Sequence, residues 1–414
     1  MTIENLALSE VAEINPRIEL HGLRDDTVVS FVPMSDVSES GQWVVRQERP
    51  LNQVRVGYTR FMEGDLLFAK ITPCMENGKG AHAVGLQNGI GFGSTEFHVL
   101  RVRDGISPRF LHHWLQEKST RTRAIAFMGG SAGQQRVQAD FFSHFRIPHI
   151  DTDAQTRIAA VLDTVLEAIG KTEQVIAKLK QVRAGLLHDL LTRGLDEHGQ
   201  LRDPLAHPEQ FQDSPLGPIP CEWEPGCVSQ FCELHNEFRL PIAGKERDQI
   251  GGVYPYYGPT GVLDHINEYR VEGKYVLIGE DGDHFLKFDT QPMTLLVEGR
   301  FNVNNHAHIL CGRGKCTTEW IHTFFCQRNL KRYLLHQGAG RLKLNQSTLL
   351  TIPMVVPLKD EQRAIRDSLD QFDQRIEADR RELDKLVQLK SGLMTDLLTG
   401  RVPVPADLLG ETAR

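Results

Sequence analysis

The sequence predicts an α/β (α+β) protein with two mixed α/β domains separated by two long helices, packed as an antiparallel coiled coil with pseudo-two-fold symmetry. Three observations predict it. The decapeptide "GLLHDLLTRG" begins at Gly185 and returns as "GLMTDLLTGR" at Gly392. The segments ending in these repeats, 155–192 and 362–399, align without a gap. The β-like stretches ahead of each segment also echo one another. Internal self-similarity of this kind marks a duplicated architecture.

The first element to justify is the helix pair. Apolar residues recur at spacings of four and three: Ile158, Leu162, Val165, Ile169, Ile176 and Leu179 in one copy, and Ile365, Leu369, Phe372, Ile376, Leu383 and Leu386 in the other. Such a stripe buries one helix face against another helix. The irregularities are shared as well. Thr172 and Asp379 interrupt both seams at one place. Arg183 and Lys390 then occupy the next apolar position, so the seam is expected to shift to Val182 and Leu389. Gly185 and Gly392 coincide, which heptads alone do not require. Each segment would be roughly 57 Å long.

The flanks follow the same plan. "ALSEVAEI" (7–14) resembles "VSQFCEL" (228–234), and "GDLLFAK" (64–70) resembles "GKYVLIG" (273–279). "TEFHVLRVRDGISPRFLHHWL" (95–115) resembles "NHAHILCGRGKCTTEWIHTFF" (305–325), each a strand, a turn and an amphipathic helix beginning near Phe110 or Trp320. The expected organisation is a first domain at 1–150, a long helix at 151–192, a proline-rich connector at 193–225, a second domain at 226–357, a second long helix at 358–400 and a tail at 401–414. Antiparallel helices would return the tail toward the N-terminus. A parallel pair would need the connector to span a helix length, which some thirty residues permit.

Bulk properties bound the function. The 414 residues carry a net charge of −7, which argues against non-specific coating of nucleic acid but not against local basic patches. No apolar run approaches the roughly 18 residues of a membrane span, and "MTIENLALSEVAEINPR" lacks a secretory pattern. A cytoplasmic protein without membrane contact is expected. The seven cysteines form no Cys-x-x-Cys pair, so they read as reduced thiols and no metal site is assigned.

Basic charge sits at matched places. Between Glu117 and Asp140 no acidic residue interrupts Lys118, Arg121, Arg123 and Arg136, and between Glu319 and Asp360 none interrupts Arg328, Lys331, Arg332, Arg341 and Lys343. Each window holds a glycine-rich turn, Gly129–Gly133 or Gly338–Gly340. Lys and Arg beside such backbone suit phosphate contact, while Gln134, Gln135 and Asn345 suit base edges. Lys70, Asn77 and Lys79 in "GDLLFAKITPCMENGKG" join the DNA-binding candidates, as do Asn304, Asn305 and His306 in "FNVNNHAHIL". Tyr256, Tyr257 and Thr260 in "YPYYGPTG" offer stacking and hydroxyl groups on a Gly-Pro loop.

The sequence carries no recognisable catalytic motif. There is no phosphate-cradling Gly-x-x-x-x-Gly-Lys-Ser/Thr loop and no Asn-Pro-Pro-aromatic tetrapeptide. "GIGFG" (89–93) reads as a turn. His306 and His308 fall on one side of a strand, but no third zinc ligand follows at a sensible spacing. No catalytic residue is assigned.

With these segments in hand, the chain resembles the specificity subunits of type I restriction-modification systems. The resemblance is carried by "GDLLFAKITPCMENGKG" and "GSTEFHVLR" in the first half. "YPYYGPTGVLDHINEYRVEGKYVLIGEDG" and "FNVNNHAHIL" carry it in the second, together with the doubled helices ending in "DLLT". It implies that each α/β domain is a target recognition domain reading one half of a split, asymmetric site on double-stranded DNA. It also implies partners: two methyltransferase subunits and the restriction subunits. No cofactor is then expected on this chain itself; S-adenosylmethionine, ATP and Mg²⁺ would belong to those partners. Other readings are a subunit of a related, type II-like system, a stand-alone nuclease or methyltransferase, and a coiled-coil adaptor with no DNA role.

Overall fold

The computed structural model describes residues 4–20, 22–131, 133–337 and 341–405. Two compact units emerge: Met1–Val175 with Asp379–Arg414, and Ile176–Ala378. Each contains one globular domain and one part of each long helix, Thr152–Thr192 and Lys359–Leu398.

In the first unit, Ala12–Ile14, Phe97–Val102, Leu66–Ala69 and Gly80–His82 form a four-stranded antiparallel sheet in that order. Leu66–Ala69 is apolar throughout because both of its faces are covered. Leu66 and Phe68 join the core that holds the helix Pro108–Gln116, and Leu67 and Ala69 join a second cluster. A further sheet runs Gln47–Pro50, Val28–Val32, Ile90–Gly93, Thr59–Met62. The expected turn at "GIGFG" is therefore corrected: Ile90–Gly93 is a buried strand. Its glycines are small because the Phe61 ring lies over Gly91, where a Cβ would fall on the ring edge.

The second unit repeats this plan. Its sheet runs Cys232–Leu234, Ala307–Gly312, Val271–Gly279, Thr294–Val303, Gly251–Tyr257, Val262–Ile266. Val276 and Ile278 face one core cluster and Leu277 faces another. The helix Thr318–Phe325 lies where Pro108–Gln116 lies in the first unit. Ser107 and Thr317 cap the two through their hydroxyls. "YPYYGPTG" is not a loop over its first half: Tyr254–Tyr257 is strand, and the turn begins at Gly258.

The helices pair head to tail inside each unit. In the first, Ile158 and Leu162 share a core with Met394, Leu397 and Leu398. In the second, Leu187 and Leu190 share one with Ile365 and Leu369. The start of each helix meets the end of the other, so the pair is antiparallel and the parallel arrangement is excluded. Ile158, Leu162, Ile169, Ile176, Ile365, Leu369 and Ile376 are buried; Val165, Leu179, Phe372, Leu383 and Leu386 are half-buried.

The expected shift of the seam is overturned. Val182 and Leu389 are 41% and 51% exposed. Arg183 and Lys390 keep the inward positions. Arg183 reaches Asp373 with two hydrogen bonds of 2.6 and 2.7 Å. Burial lowers the Lys390 amine below its ordinary range. Long methylene stems fill a seam position while their heads reach its rim. The helices end alike, with Gly194 and Gly400 at positive φ two residues beyond the last helical residue.

The connector is folded. Phe211–Gln212 pairs with Ile219–Pro220, and Leu195, Ile219 and Trp223 enter the second unit's core. Arg202 bonds to Glu361 at 2.6 Å, with both side chains buried. Glu361 also accepts from the Leu195 amide and the Trp223 indole. From the tail, Val404 packs on the first unit's core; residues 406–414 lie outside the described residues.

Candidate nucleic-acid interface

A buried histidine anchors each basic window to its sheet. His98 Nε2 lies 2.8 Å from the Val137 carbonyl, and its Nδ1 lies 3.1 Å from the amide nitrogen of Asn15. Asn15 also accepts from the Val99 amide. In the second unit, His308 Nε2 lies 2.8 Å from the Leu344 carbonyl and its Nδ1 lies 3.0 Å from the amide nitrogen of Asn236, which accepts from the Ile309 amide. A carbonyl only accepts, so Nε2 carries the proton in both rings. Burial pushes both imidazoles below their ordinary range and keeps them neutral. The expectation that His306 and His308 share a strand face is corrected. His306 sits in the turn before Ala307–Gly312 and pairs with Asp281 at 2.9 Å, while His308 is wholly buried.

These anchors bring the windows to equivalent ends of the two sheets. In the first unit, the Val137 amide donates to the Lys70 carbonyl and the Lys70 amide to Glu96. Arg136 grips the Glu96 carboxylate at 2.8–3.1 Å. The Arg136 hydrogen bonds hold that carboxyl below its usual range against the effect of burial, and Lys70 adds its positive field. In the second unit, the Leu344 amide donates to the Glu280 carbonyl and the Glu280 amide to His306. Lys343 and Arg239 hold Glu280 from 3.1 and 2.7 Å. Burial alone would raise that carboxyl; its cationic neighbours bring it down. Lys70 therefore corresponds to Glu280, Glu96 to His306 and Arg136 to Lys343. The frame is shared and the chemistry is not.

The other candidates divide by exposure. Asn77, Arg123, Gln134, Thr260, Asn305 and Arg332 are exposed. Asn77 bonds to Glu39, and the Arg332 guanidinium stacks on Tyr333 at 4.7 Å. Lys79 is half-buried and donates to the Met34 carbonyl. Gln135, Tyr257 and Asn345 are half-buried, Asn345 immediately before the helix Gln346–Thr351. Asn304 is buried and accepts from the His306 amide. The Arg341 side chain lies outside the described residues, as do Ala132 and Gly338–Gly340.

Two candidates leave the surface altogether. Arg121 is buried against the Phe68 ring and donates to the carbonyls of Leu115, Met75 and Gly78. It ties the 75–79 loop to the helices. Tyr256 is fully buried; its hydroxyl donates to the Leu240 carbonyl and accepts from the Ile242 amide. Neither has a group left for DNA.

Two surfaces escaped sequence reasoning. A cleft in the first unit is lined by Arg17, Arg55, Tyr58 and Arg60, with Val56 beside it 85% exposed. The hairpin Gly251–Ile266 in the second unit carries Val253, 78% exposed, and Leu263. Arg55 and Arg60 lie with Arg49 in an acid-free stretch between Glu48 and Glu63, a basic signal the sequence does carry, and folding adds Arg17 from beyond several acidic residues. Exposed apolar residues on a hairpin have no signal in hydrophobic periodicity.

A profile of the type I restriction modification DNA specificity domain matches residues 2–181 and 220–388. The type I restriction enzyme EcoEI specificity subunit of Escherichia coli is 33% identical over 51% of this chain and 36% of its own length. The match therefore spans about a third of that relative. The putative type I restriction enzyme MjaX specificity subunit of Methanocaldococcus jannaschii is 24% identical over 97% of both chains. Among solved structures, the type I restriction-modification S subunit from M. genitalium shares the fold, with a TM-score of 0.57 at 15% identity over 96% of each chain. No helix among the described residues is long and apolar enough to cross a membrane.

Proposed function

This chain belongs to the type I restriction-modification DNA specificity family, and from that premise we propose that it is the DNA-reading subunit of such an assembly. Each α/β domain reads one half of a split site, and the antiparallel helices set the spacer. The chain itself performs no chemistry. Methyltransferase subunits, two per chain, supply the S-adenosylmethionine-dependent step, and restriction subunits supply the ATP- and Mg²⁺-dependent steps. One observation carries this reading: two sheet-end sites built on the same hydrogen-bonded frame, one presenting Lys70, Glu96 and Arg136, the other Glu280, His306 and Lys343. Unlike groups on like frames suit an asymmetric, two-part target.

The test is selection from a random duplex pool with the purified chain and its methyltransferase partner. A motif in two unlike parts separated by unspecified bases is expected. A single uninterrupted motif, or no enrichment, overturns the reading. Lys70→Ala is expected to shallow the dependence of log affinity on log salt by about one and to leave the second unit's half-site unchanged. An unaltered slope in a salt titration removes Lys70 from the phosphate contacts.

A further inference from the structure

Glu233, His235 and Cys311 place a carboxylate, an imidazole and a thiol around one point, with all three ligand atoms within 4.8 Å of one another. Glu233 lies in the strand Cys232–Leu234 directly across from Cys311, and His235 follows that strand. Cys311 Sγ is 3.3 Å from His235 Nε2, and Glu233 Oε2 is 3.8 Å from the same nitrogen. A tetrahedral zinc ion, with Zn–S near 2.3 Å and Zn–N near 2.0 Å, separates its ligand atoms by about 3.5 Å.

The outer groups suit the same purpose. His235 Nδ1 lies 3.1 Å from Glu237 Oε1, the carboxylate–histidine arrangement that leaves Nε2 with its lone pair inward. Phe238 stacks on the ring at 5.2 Å, and Tyr275 meets it edge-on at 5.6 Å. Arg313 Nε stands 3.8 Å from the other Glu233 oxygen.

The first unit provides an internal contrast. There Glu13 also faces across its strand pair, but its partner is Arg101, whose guanidinium is held by Asp65. The fold therefore tolerates an ordinary charged position at this place, and the thiol and imidazole of the second unit are not needed to form the sheet.

We propose that Glu233, His235 and Cys311 bind one zinc ion, with water in the fourth position. Binding releases the Cys311 thiol proton to solvent and forms the Zn–S bond. The site pins an edge strand and the turn after it. That turn carries Asn236, which orients His308 and so the second unit's basic window.

The full-length chain, stripped with chelator and dialysed, is titrated with Zn²⁺ and separately with Co²⁺. One zinc per chain is expected, and a cobalt spectrum with a thiolate charge-transfer band. Cys311→Ser and His235→Gln are expected to lose both, Glu237→Gln to weaken binding roughly tenfold, and Cys221→Ser, at an exposed cysteine, to keep both. Circular dichroism verifies that each variant is folded. The proposal is overturned by a cobalt spectrum without the thiolate band, or by zinc binding equal in folded Cys311→Ser or His235→Gln and the parent chain. It is also overturned if the parent chain takes up no zinc at micromolar concentrations.

Discussion

Glu361→Ala is expected to destabilise the chain by about 3–5 kcal/mol. Glu361 stands in the first turn of the second long helix, yet its carboxylate is buried and serves three donors from the connector region. Arg202 approaches at 2.6 Å, the Leu195 amide at 2.8 Å and the Trp223 indole at 3.0 Å. Removing it strands the two neutral donors and leaves Arg202 with the exposed Glu222 and a long, 3.5 Å bond to the Arg193 carbonyl. Each buried unsatisfied donor costs about 1–3 kcal/mol. Glu361→Gln keeps an acceptor and removes the charge, so a smaller loss is expected. Chemical denaturation followed by the emission of Trp223 and Trp320, both buried, measures it. A loss below about 1 kcal/mol for alanine would show that the connector is not held by this carboxylate.

The second large effect concerns the target. Adding one heptad to each long helix is expected to lengthen the spacer by about three base pairs, since seven helical residues rise about 10.5 Å and duplex DNA about 3.4 Å per pair. Both helices must be extended together, because the antiparallel pairing of Arg183 with Asp373 fixes one register. The bases read in each half-site stay the same. Sequencing of the methylated motif in cells carrying the variant checks this. An unchanged spacer would separate helix length from site geometry.

Much of the architecture is legible in the residues. The duplicated helices and the strand–turn–helix order of each half follow from periodicity and from residues that recur in step. Burial was less legible where a residue type serves two purposes. Arg121 is an arginine in a basic window, and nothing local says that its donors meet buried backbone carbonyls. Tyr256 alternates with its tyrosine neighbours along a strand, and only the sheet decides which face is inside. Arg183 reads as a break in an apolar stripe until Asp373 is placed opposite. Gly91 suggests a turn unless Phe61 is known to cover it. Glu233, His235 and Cys311 escape because Cys311 lies 76 residues from His235, and strand pairing alone brings them together.

Gln155 and Gln362 occupy the same position in the two long helices, and both are buried. Gln155 accepts from the Ser107 amide and donates to the Ile150 carbonyl. Gln362 accepts from Thr317 and donates to the Pro357 carbonyl. One side chain thus couples the cap of a domain helix to the backbone just ahead of a long helix, and it does so twice. A coupling that joins the same two places in both halves is a repeated fitting, with Gln362 adding bonds to the Thr317 hydroxyl and the Lys315 carbonyl. On the proposed function, exchange of a whole domain between these points is expected to change the half-site that is read while the helix frame stays intact.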